Sequence, residues 1–354
     1  MHNLINEAPV KKNYDFIDAI RCVAMMAIVL EHSIGSYNFT AGSDKYWAYI
    51  SFMQCAKFGT IAFFLLAGFL ISEKFTDYTP AQYLKRRIST TFGPWVFWSL
   101  VYVLAMIVNM AVKERIYHRN EFTLTNILEG IQKVYLYTNY WFIINFLVSI
   151  TLLLVFKKYL YQLSLGLALL TFSIFYSINI HYEWISPVHT TAILGFVFFL
   201  WLGAQMRKYW LQIENRIARI PYYVIIFLLL LTYGISIYEI RQLTGYSTDA
   251  LNTLRFSNVL YSLVFFALLL KIKAFSITTY LKPRQTTYGI YLIHYIIVVF
   301  VVPEILIHFT FDVESMGVIA FILLKAGTFL MVYAITFGIV WLINRSKARV
   351  LVGN

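Results

Sequence analysis

An arginine and a histidine lie eleven residues apart in one apolar stretch, "RCVAMMAIVLEHS", at Arg21 and His32. In a helix, eleven residues make about three turns and rise roughly 16 Å. Eleven steps of about 100° return to within about 20° of the starting direction, so both side chains project from one face. Ionisable groups inside a membrane helix are costly and usually functional. This face therefore predicts a functional site.

Two acidic residues, Asp18 and Glu31, lie close to this pair in the sequence, and their positions predict different contacts. Asp18 precedes Arg21 by three residues, which favours an ion pair that lowers the free-energy cost of burying the arginine. Glu31 projects about 100° away from His32, so the two adjacent residues are not predicted to form a catalytic pair. The structural alternative is that Arg21 extends to the lipid headgroups and His32 is a neutral, hydrogen-bonded core residue.

A second histidine lies near the end of the chain, in "TTYGIYLIHYI". Tyr291 lies one helical turn before His294, and Gly289 allows a close approach of a neighbouring helix. An aromatic packing stripe with one satisfied histidine explains this pattern as well as a binding site does. Lys57 and Lys325 are two further cations within apolar stretches.

The composition indicates the environment in which these residues act. Of 354 residues, 60% are hydrophobic and 13% are charged, whereas soluble domains carry about 25% charged residues. The sequence predicts an all-α, polytopic membrane helix bundle that forms a single domain over 1–354. The predicted spans are 16–38, 50–72, 89–112, 141–156, 160–180, 188–206, 221–240, 256–270, 286–303 and 316–343.

The distribution of basic residues predicts the topology. If the N-terminus is cytoplasmic, most of the 29 Lys and Arg residues fall on the inner side of a ten-helix arrangement, with both termini in the cytoplasm. The net charge of +12 then reflects topology, and no nucleic-acid partner is expected. Cys22 and Cys55 fall within spans, so neither a disulfide nor a thiolate metal site is expected. No cleavable signal peptide is expected either.

Several short motifs occur in a characteristic order between about residues 16 and 296. They are "DAIRCVAMMAIVLEHS", "KFGTIAFFLLAGFLIS", "YLKRRISTTFGPWVFWSLVY", "NYWFIINFLVS", "LGFVFFLWLGAQM" and "TTYGIYLIHY". This ordered set resembles the bacterial acyltransferase family 3 membrane proteins, and the branch that acetylates surface polysaccharides in particular. The first motif is similar to the Asp-x-x-Arg-x10-His helix of that family.

The resemblance implies an enzyme that moves an acetyl group from acetyl-CoA to a hydroxyl of a cell-envelope carbohydrate. It implies a multi-pass protein of the bacterial cytoplasmic membrane, with membrane lipid and a carbohydrate or lipid-linked glycan as partners and no metal. His32 is the expected general base, because an imidazole suits proton transfer near neutral pH. Arg21 is expected in the same site, holding the pantetheine or phosphate end of CoA.

Other residues receive roles as predictions. Lys85, Arg86 and Arg87 are expected to contact CoA, although such a cluster also serves topology. The candidate substrate-binding residues are Asp18, Lys57, Tyr291 and His294. The outer connection 113–140 is the predicted sugar-facing surface, with Tyr117, His118, Tyr135, Tyr137 and Tyr140, and it is predicted to contain a short helix capped by Thr123 or Thr125.

Two positions depart from the family pattern. Ala67 stands where a serine usually precedes Gly68, which removes one hydroxyl from the site. Thr90 stands where the family often repeats a basic residue three positions after the first, which weakens the expected contact with the CoA phosphates.

Two other classes fit the same topology. A transporter or flippase for a glycan, a lipid or a small anion also needs many helices with intramembrane charges. A membrane scaffold explains the topology but not the aligned Arg21 and His32. The sequence leaves open the acceptor, the choice of acetyl or succinyl donor, and the oligomeric state.

Overall fold

The computed structural model describes residues 14–35, 39–40, 42–117, 122–309 and 312–354, without the side chains of Asp15, Ile34, 73–77 and Tyr117. Within these ranges the chain forms sixteen α-helices and no β-strand. The helices are α1 Asp15–Ile34, α2 Asp44–Ala56, α3 Gly59–Asp77, α4 Pro80–Arg87, α5 Gly93–Tyr117, α6 Leu124–Tyr137, α7 Trp141–Val155, α8 Leu163–Tyr182, α9 Ile193–Lys208, α10 Trp210–Arg219, α11 Tyr222–Leu243, α12 Phe256–Ile272, α13 Ile277–Leu281, α14 Pro283–Ile296, α15 Val302–Leu306 and α16 Val318–Asn344. The predicted all-α class is confirmed.

Each of the ten predicted spans falls on a helix, but fewer helices are long and apolar enough to cross a membrane. In the described part of the chain there are six, or seven if α6 and α7, which are bent by 53° relative to each other, form one span. Helix α1 contains too many charged residues to count as a membrane span, and α9 and α12, with 16 and 17 residues, are too short. The protein is thus a multi-pass membrane protein, and the ten-span topology with cytoplasmic termini stays a prediction.

Two π-helical turns each join a pair of consecutive helices. One turn, at 88–92, joins α4 to α5, and the other, at 297–301, joins α14 to α15. The second turn begins three residues after His294. Such turns widen the helix locally and occur frequently at functional sites.

Helices α3 and α9 pack together so closely that glycine is required on both. A Cβ at Gly68 would collide with the Leu200 carbonyl oxygen, and one at Gly203 would collide with that of Leu65. Small residues permit this approach of two backbones in a membrane bundle. The prediction for Gly289 is also confirmed, because its backbone packs directly against Val340 of α16.

Helix α1 occupies the centre of the bundle, where it packs against α3, α14 and α16. It runs parallel to α14, and side chains join the two helices at both ends. Arg284 Nε of α14 donates to Asp18 of α1 at 3.0 Å, and the two histidines meet at the other end. Helices α1 and α14 therefore lie side by side from the level of Asp18 to the level of His32, and the contacts at both ends fix their relative position.

A fully buried arginine, Arg255, immediately precedes α12 and connects α2 with α11. Arg255 donates to Gln54 Oε1 at 2.6 Å and to Ser236 Oγ at 3.1 Å, and it lies 3.9 Å from Glu239. Asn258 extends the network, because its Oδ1 accepts from Gln54 Nε2 at 3.0 Å and its Nδ2 donates to the backbone oxygen of Thr253 at 2.7 Å. A buried arginine needs such partners, since an unpaired charge in the core is strongly destabilising.

Candidate active site

Two cavities lie along α1, one at each end of the Arg21–His32 interval. The cavity at the arginine end, here called the arginine cavity, has a volume of about 280 Å³. It is lined by Arg21, Met25, Phe63, Leu66, Ala67, Leu70, Arg87, Thr90, Thr91, Phe142, Ile143, Phe146, Pro283, Arg284, Thr287, Tyr288, Tyr291 and Gly353. The other cavity, here called the histidine cavity, has a volume of about 190 Å³. It is lined by Ile28, Glu31, His32, Thr60, Tyr137, Thr138, Asn139, Trp141, Phe142, His189, Thr253, Tyr291 and Tyr295.

The two histidines singled out in the sequence form one hydrogen-bonded pair. His32 Nδ1 lies 2.8 Å from His294 Nε2, with the ring centroids 5.0 Å apart and the planes inclined by 28°. His294 is completely buried, whereas His32 lines the histidine cavity. The structure thus joins two residues that lie 262 positions apart in the chain.

The hydrogen bonds of this pair define which nitrogen carries which proton. His294 Nδ1 lies 3.0 Å from the Ile290 carbonyl oxygen, and a carbonyl only accepts, so this nitrogen bears a hydrogen. In the neutral ring His294 Nε2 is then an acceptor, and His32 Nδ1 must donate to it. His32 Nε2 is left with its lone pair and with no hydrogen bond to a described protein group. That atom can accept a hydrogen bond or a proton.

The connection before α7 fixes α14 at the level of the pair. Asn139 Nδ2 donates to the Tyr291 carbonyl oxygen at 2.8 Å, and the Tyr291 hydroxyl donates back to the Asn139 carbonyl oxygen. The Tyr140 hydroxyl donates to the Leu292 carbonyl oxygen at 2.8 Å. These bonds hold the turn of α14 that carries His294, so they restrain the position of its ring.

Glu31 and Lys57 form a buried ion pair beside the histidines. Lys57 Nζ lies 2.7 Å from Glu31 Oε1, with side chains that are 6% and 18% exposed. Glu31 contacts the histidine cavity, whereas Lys57 does not. As predicted, Glu31 bonds to another residue and not to His32. Both side chains nevertheless line the histidine cavity. Lys57, a predicted substrate-binding residue, lies behind Glu31.

Three arginines converge on the arginine cavity. Asp18 Oδ1 accepts from Arg21 Nη1 at 3.4 Å, which is the predicted pair, and the same carboxylate also accepts from Arg284. Arg87 lines the cavity too and donates to the Tyr83 hydroxyl at 2.8 Å. Two of these guanidinium groups share the Asp18 carboxylate and Arg87 has no carboxylate partner among the described residues, so the cavity has an excess of positive charge that suits an anionic ligand.

The predicted cofactor-contact cluster divides in the structure. Arg87 reaches the arginine cavity, but Lys85 and Arg86 are exposed and do not line it. Arg86 donates to the Tyr78 hydroxyl at 2.9 Å instead. Both departures from the family pattern, Ala67 and Thr90, lie on the wall of this cavity.

The predicted sugar-facing connection is more structured than a surface loop. Helix α6 lies within it, and Thr123 caps its start by accepting from Asn126 N–H at 3.2 Å, as predicted. Of the tyrosines proposed for that surface, Tyr137 lines the histidine cavity, whereas Tyr140 is fully buried, which corrects its proposed exposure. Tyr135 lies 3.1 Å from the Ser99 hydroxyl. The side chain of Tyr117, and His118 as a whole, lie outside the described residues.

Several residues that line these cavities were not singled out from the sequence. Among them are Asn139, His189 and Arg284, whose side chains are strongly polar or charged. A signal existed for Arg284, since it precedes His294 by ten residues, much as Arg21 precedes His32 by eleven. His189, whose Nε2 lies 3.2 Å from Thr253 Oγ1, carries no comparable spacing signal. Lys325, which the sequence did single out, lines neither cavity and lies 5.8 Å from the Phe321 ring centroid.

Among the described residues no group of three or more His, Cys, Asp and Glu side chains is placed to hold a metal ion. The expected absence of a metal stays a prediction. No curated protein and no solved structure matches the chain significantly.

The fold and the site define a multi-pass membrane protein with one cavity lined by three arginines and a second, polar and aromatic cavity lined by one histidine of a hydrogen-bonded pair. The sequence profile of acyltransferase family 3, described as an acyltransferase domain, matches residues 14–345. The chain therefore belongs to acyltransferase family 3. Membership implies transferase activity toward acyl groups.

Proposed function

We propose that this protein transfers an acetyl or another short acyl group, such as succinyl, from acyl-CoA to a hydroxyl of a cell-envelope carbohydrate. The observation that carries the proposal is the His32–His294 pair, which leaves the lone pair of His32 Nε2 free for a substrate. Family membership supplies the acyl-transfer chemistry.

His32 acts as the general base in this proposal. Its Nε2 takes the proton of the acceptor hydroxyl while the hydroxyl oxygen attacks the thioester carbonyl carbon. The tetrahedral intermediate then collapses, the carbon–sulfur bond breaks, and the CoA thiolate leaves and takes up the proton. His294 orients the base, because it accepts from His32 Nδ1 and so keeps the lone pair on Nε2.

The acyl donor occupies the arginine cavity. Coenzyme A carries phosphate groups, and Arg21, Arg87 and Arg284 supply the guanidinium donors that suit them. Because CoA is a cytosolic molecule, this cavity faces the cytoplasm of the bacterial membrane in the proposal. Arg284 provides a cation at a cavity wall where Thr90 lacks one.

The acceptor occupies the histidine cavity, which would then open toward the other side of the membrane or toward a lipid-linked glycan. Tyr137, Trp141 and Tyr295 supply aromatic surface on its wall, and its polar side chains supply hydrogen-bonding groups. This mixture is typical of a site for a molecule that has both apolar faces and hydroxyl groups.

The test is transfer of labelled acetyl from acetyl-CoA to envelope glycan in membranes that contain the wild type or His32→Ala. We expect the wild type to label the glycan and the variant to transfer about 10²-fold to 10⁴-fold more slowly, the contribution of a general base. Thermal unfolding of the purified variant checks that it is folded. A comparable rate in the folded variant would remove His32 as the base. Glycan that is moved across the membrane without label would instead identify a transporter or flippase.

A further inference from the structure

The histidine cavity presents hydrogen-bond acceptors that lack donors. Asn139 is 3% exposed and is one of the residues that line this cavity, and its Oδ1 has no hydrogen-bond partner among the described residues. The orientation of its amide group is fixed, because Nδ2 donates to the Tyr291 carbonyl oxygen and a carbonyl can only accept. The buried oxygen is therefore an acceptor without a donor. Leaving such a group unpaired is unfavourable, so it calls for a ligand or a water.

Two other acceptors line the same cavity. His32 Nε2 carries a lone pair, for the reasons given above. Glu31 uses Oε1 to accept from Lys57, and its Oε2 makes no hydrogen bond to a described protein group. No lysine or arginine side chain is among the residues that line this cavity. The cavity thus lacks cationic donors and is suited to a ligand that brings several donors of its own.

We infer that the acceptor substrate is a polyol held through two neighbouring hydroxyl groups, one on His32 Nε2 and the other on Asn139 Oδ1. This inference rests on the proposed function and specifies how its acceptor is recognised. The hydroxyl on His32 is acylated, whereas the hydroxyl on Asn139 donates a hydrogen bond and stays free. Asn139 is then a positioning residue that decides which hydroxyl of a sugar meets the base.

The location of Asn139 fits this role. Its side chain is fixed to the turn of α14 that begins at Tyr291, and His294 lies three residues further along the same helix. The base and the second acceptor are consequently held by one element, with His32 bonded to His294. Their separation is set by the bundle and does not depend on a mobile loop. A rigid pair of acceptors discriminates between diols of different geometry.

The experiment uses the purified full-length protein with labelled acetyl-CoA. The acceptors are methyl hexopyranosides and their monodeoxy derivatives, with 1-octanol as an acceptor that has a single hydroxyl. For the wild type we expect transfer to a hexoside, and a loss of about tenfold in kcat/KM when the hydroxyl next to the acylated position is removed, the effect of one hydrogen bond to a buried acceptor. Octanol should be a poorer acceptor than the hexoside.

Asn139→Ala should lower transfer to the parent hexoside by about the same factor and become insensitive to the missing hydroxyl. Asn139→Asp retains an acceptor oxygen but loses the Nδ2 donor to the Tyr291 carbonyl, so it should transfer more slowly than the wild type and still be sensitive to the missing hydroxyl. A merely structural effect would remove the sensitivity in both variants. The matched control is Asn145→Ala. Asn145 is equally buried, accepts from Ser149 at 3.1 Å and lines neither cavity, so this variant should keep the wild-type pattern.

Three outcomes overturn the inference. Retained sensitivity to the missing hydroxyl in Asn139→Ala, or transfer to octanol as fast as to the hexoside, overturns it while leaving acyl transfer intact. Absence of transfer from the wild type to every hexoside overturns the carbohydrate acceptor of the proposed function, and this inference with it.

Discussion

At the scale of single residues, the proposed activity depends on the orientation of the His32 ring and on which of its nitrogens carries the hydrogen. An isolated imidazole in a cavity carries its hydrogen on either nitrogen and rotates freely, so only part of its population is competent as a base. The contact from Ile290 through His294 to His32 defines the tautomer by a chain of two hydrogen bonds. A backbone carbonyl at one end of this chain thereby sets the basic nitrogen at the other.

This arrangement predicts the effect of replacing His294. His294→Ala removes the acceptor for His32 Nδ1, so acyl transfer should slow by about 10²-fold through kcat, while the KM for acyl-CoA stays close to that of the wild type. His294→Gln should recover part of the rate, because its side-chain oxygen can accept from the same nitrogen. Steady-state kinetics of CoA release in the presence of acceptor measure both.

A matched control is available for this prediction. His181→Ala removes a histidine that lies 2.9 Å from Glu239 and lines neither cavity, so kcat should not change. An unchanged kcat in folded His294→Ala would show that the base does not need this partner.

Much of the residue-scale site could be predicted, because buried charge is conspicuous in an apolar helix. Arg21, His32 and His294 were found in that way, and so was the contact between Asp18 and Arg21. The pairing of the two histidines could not be predicted, since it depends on how α1 and α14 meet across 262 positions. Asn139 could not be found either, because an asparagine next to a helix start is ordinary. What distinguishes it is a buried oxygen that has no hydrogen-bond partner among the described residues.

At the scale of elements, α3 has one side on the arginine cavity and another packed closely against α9. Ala67, Leu66 and Leu70 of α3 line this cavity, and Gly68 sits among them on the side that faces α9. The "AGF" motif thus combines a cavity residue with the glycine that allows the packing. The apolar content of the sequence predicted both helices. It did not show that Gly68 of α3 faces α9 and that Gly203 of α9 faces α3.

The packing predicts opposite effects for one substitution at two glycines. Gly68→Ala places a methyl group against the Leu200 backbone, which cannot yield, so the variant should lose about 1–3 kcal/mol of stability. Gly338→Ala in α16 meets no atom within 4 Å and should gain about 0.5–1 kcal/mol, because alanine favours a helix over glycine. Thermal unfolding of both variants in detergent gives the comparison. Equal stability of the two would contradict the close contact.

At the scale of the whole molecule, the bundle contains two separate cavities that share part of their walls. Arg21 and His32 lie on the same face of α1, yet they open into different cavities. Phe142 and Tyr291 line both, and their ring centroids are 5.6 Å apart. In the proposed function the donor and the acceptor meet across this aromatic pair. The sequence predicted a bundle and one shared face, but the contact of Phe142 in α7 with Tyr291 in α14 depends on how distant segments meet in the fold.

The separation of the two cavities predicts how a change in the shared wall affects coupling between donor and acceptor. Phe142→Ala should join the two cavities and admit water from the histidine cavity to the thioester. We expect CoA release without an acceptor to rise several-fold while transfer to the acceptor falls, because water competes for the acyl group. Phe146→Ala is the matched control, since Phe146 lies one turn further along α7 and lines the arginine cavity alone. Thiol release with and without acceptor measures the effect. An equal rise in both variants would mean that Phe142 merely fills space and that the cavities are not kept apart by this ring.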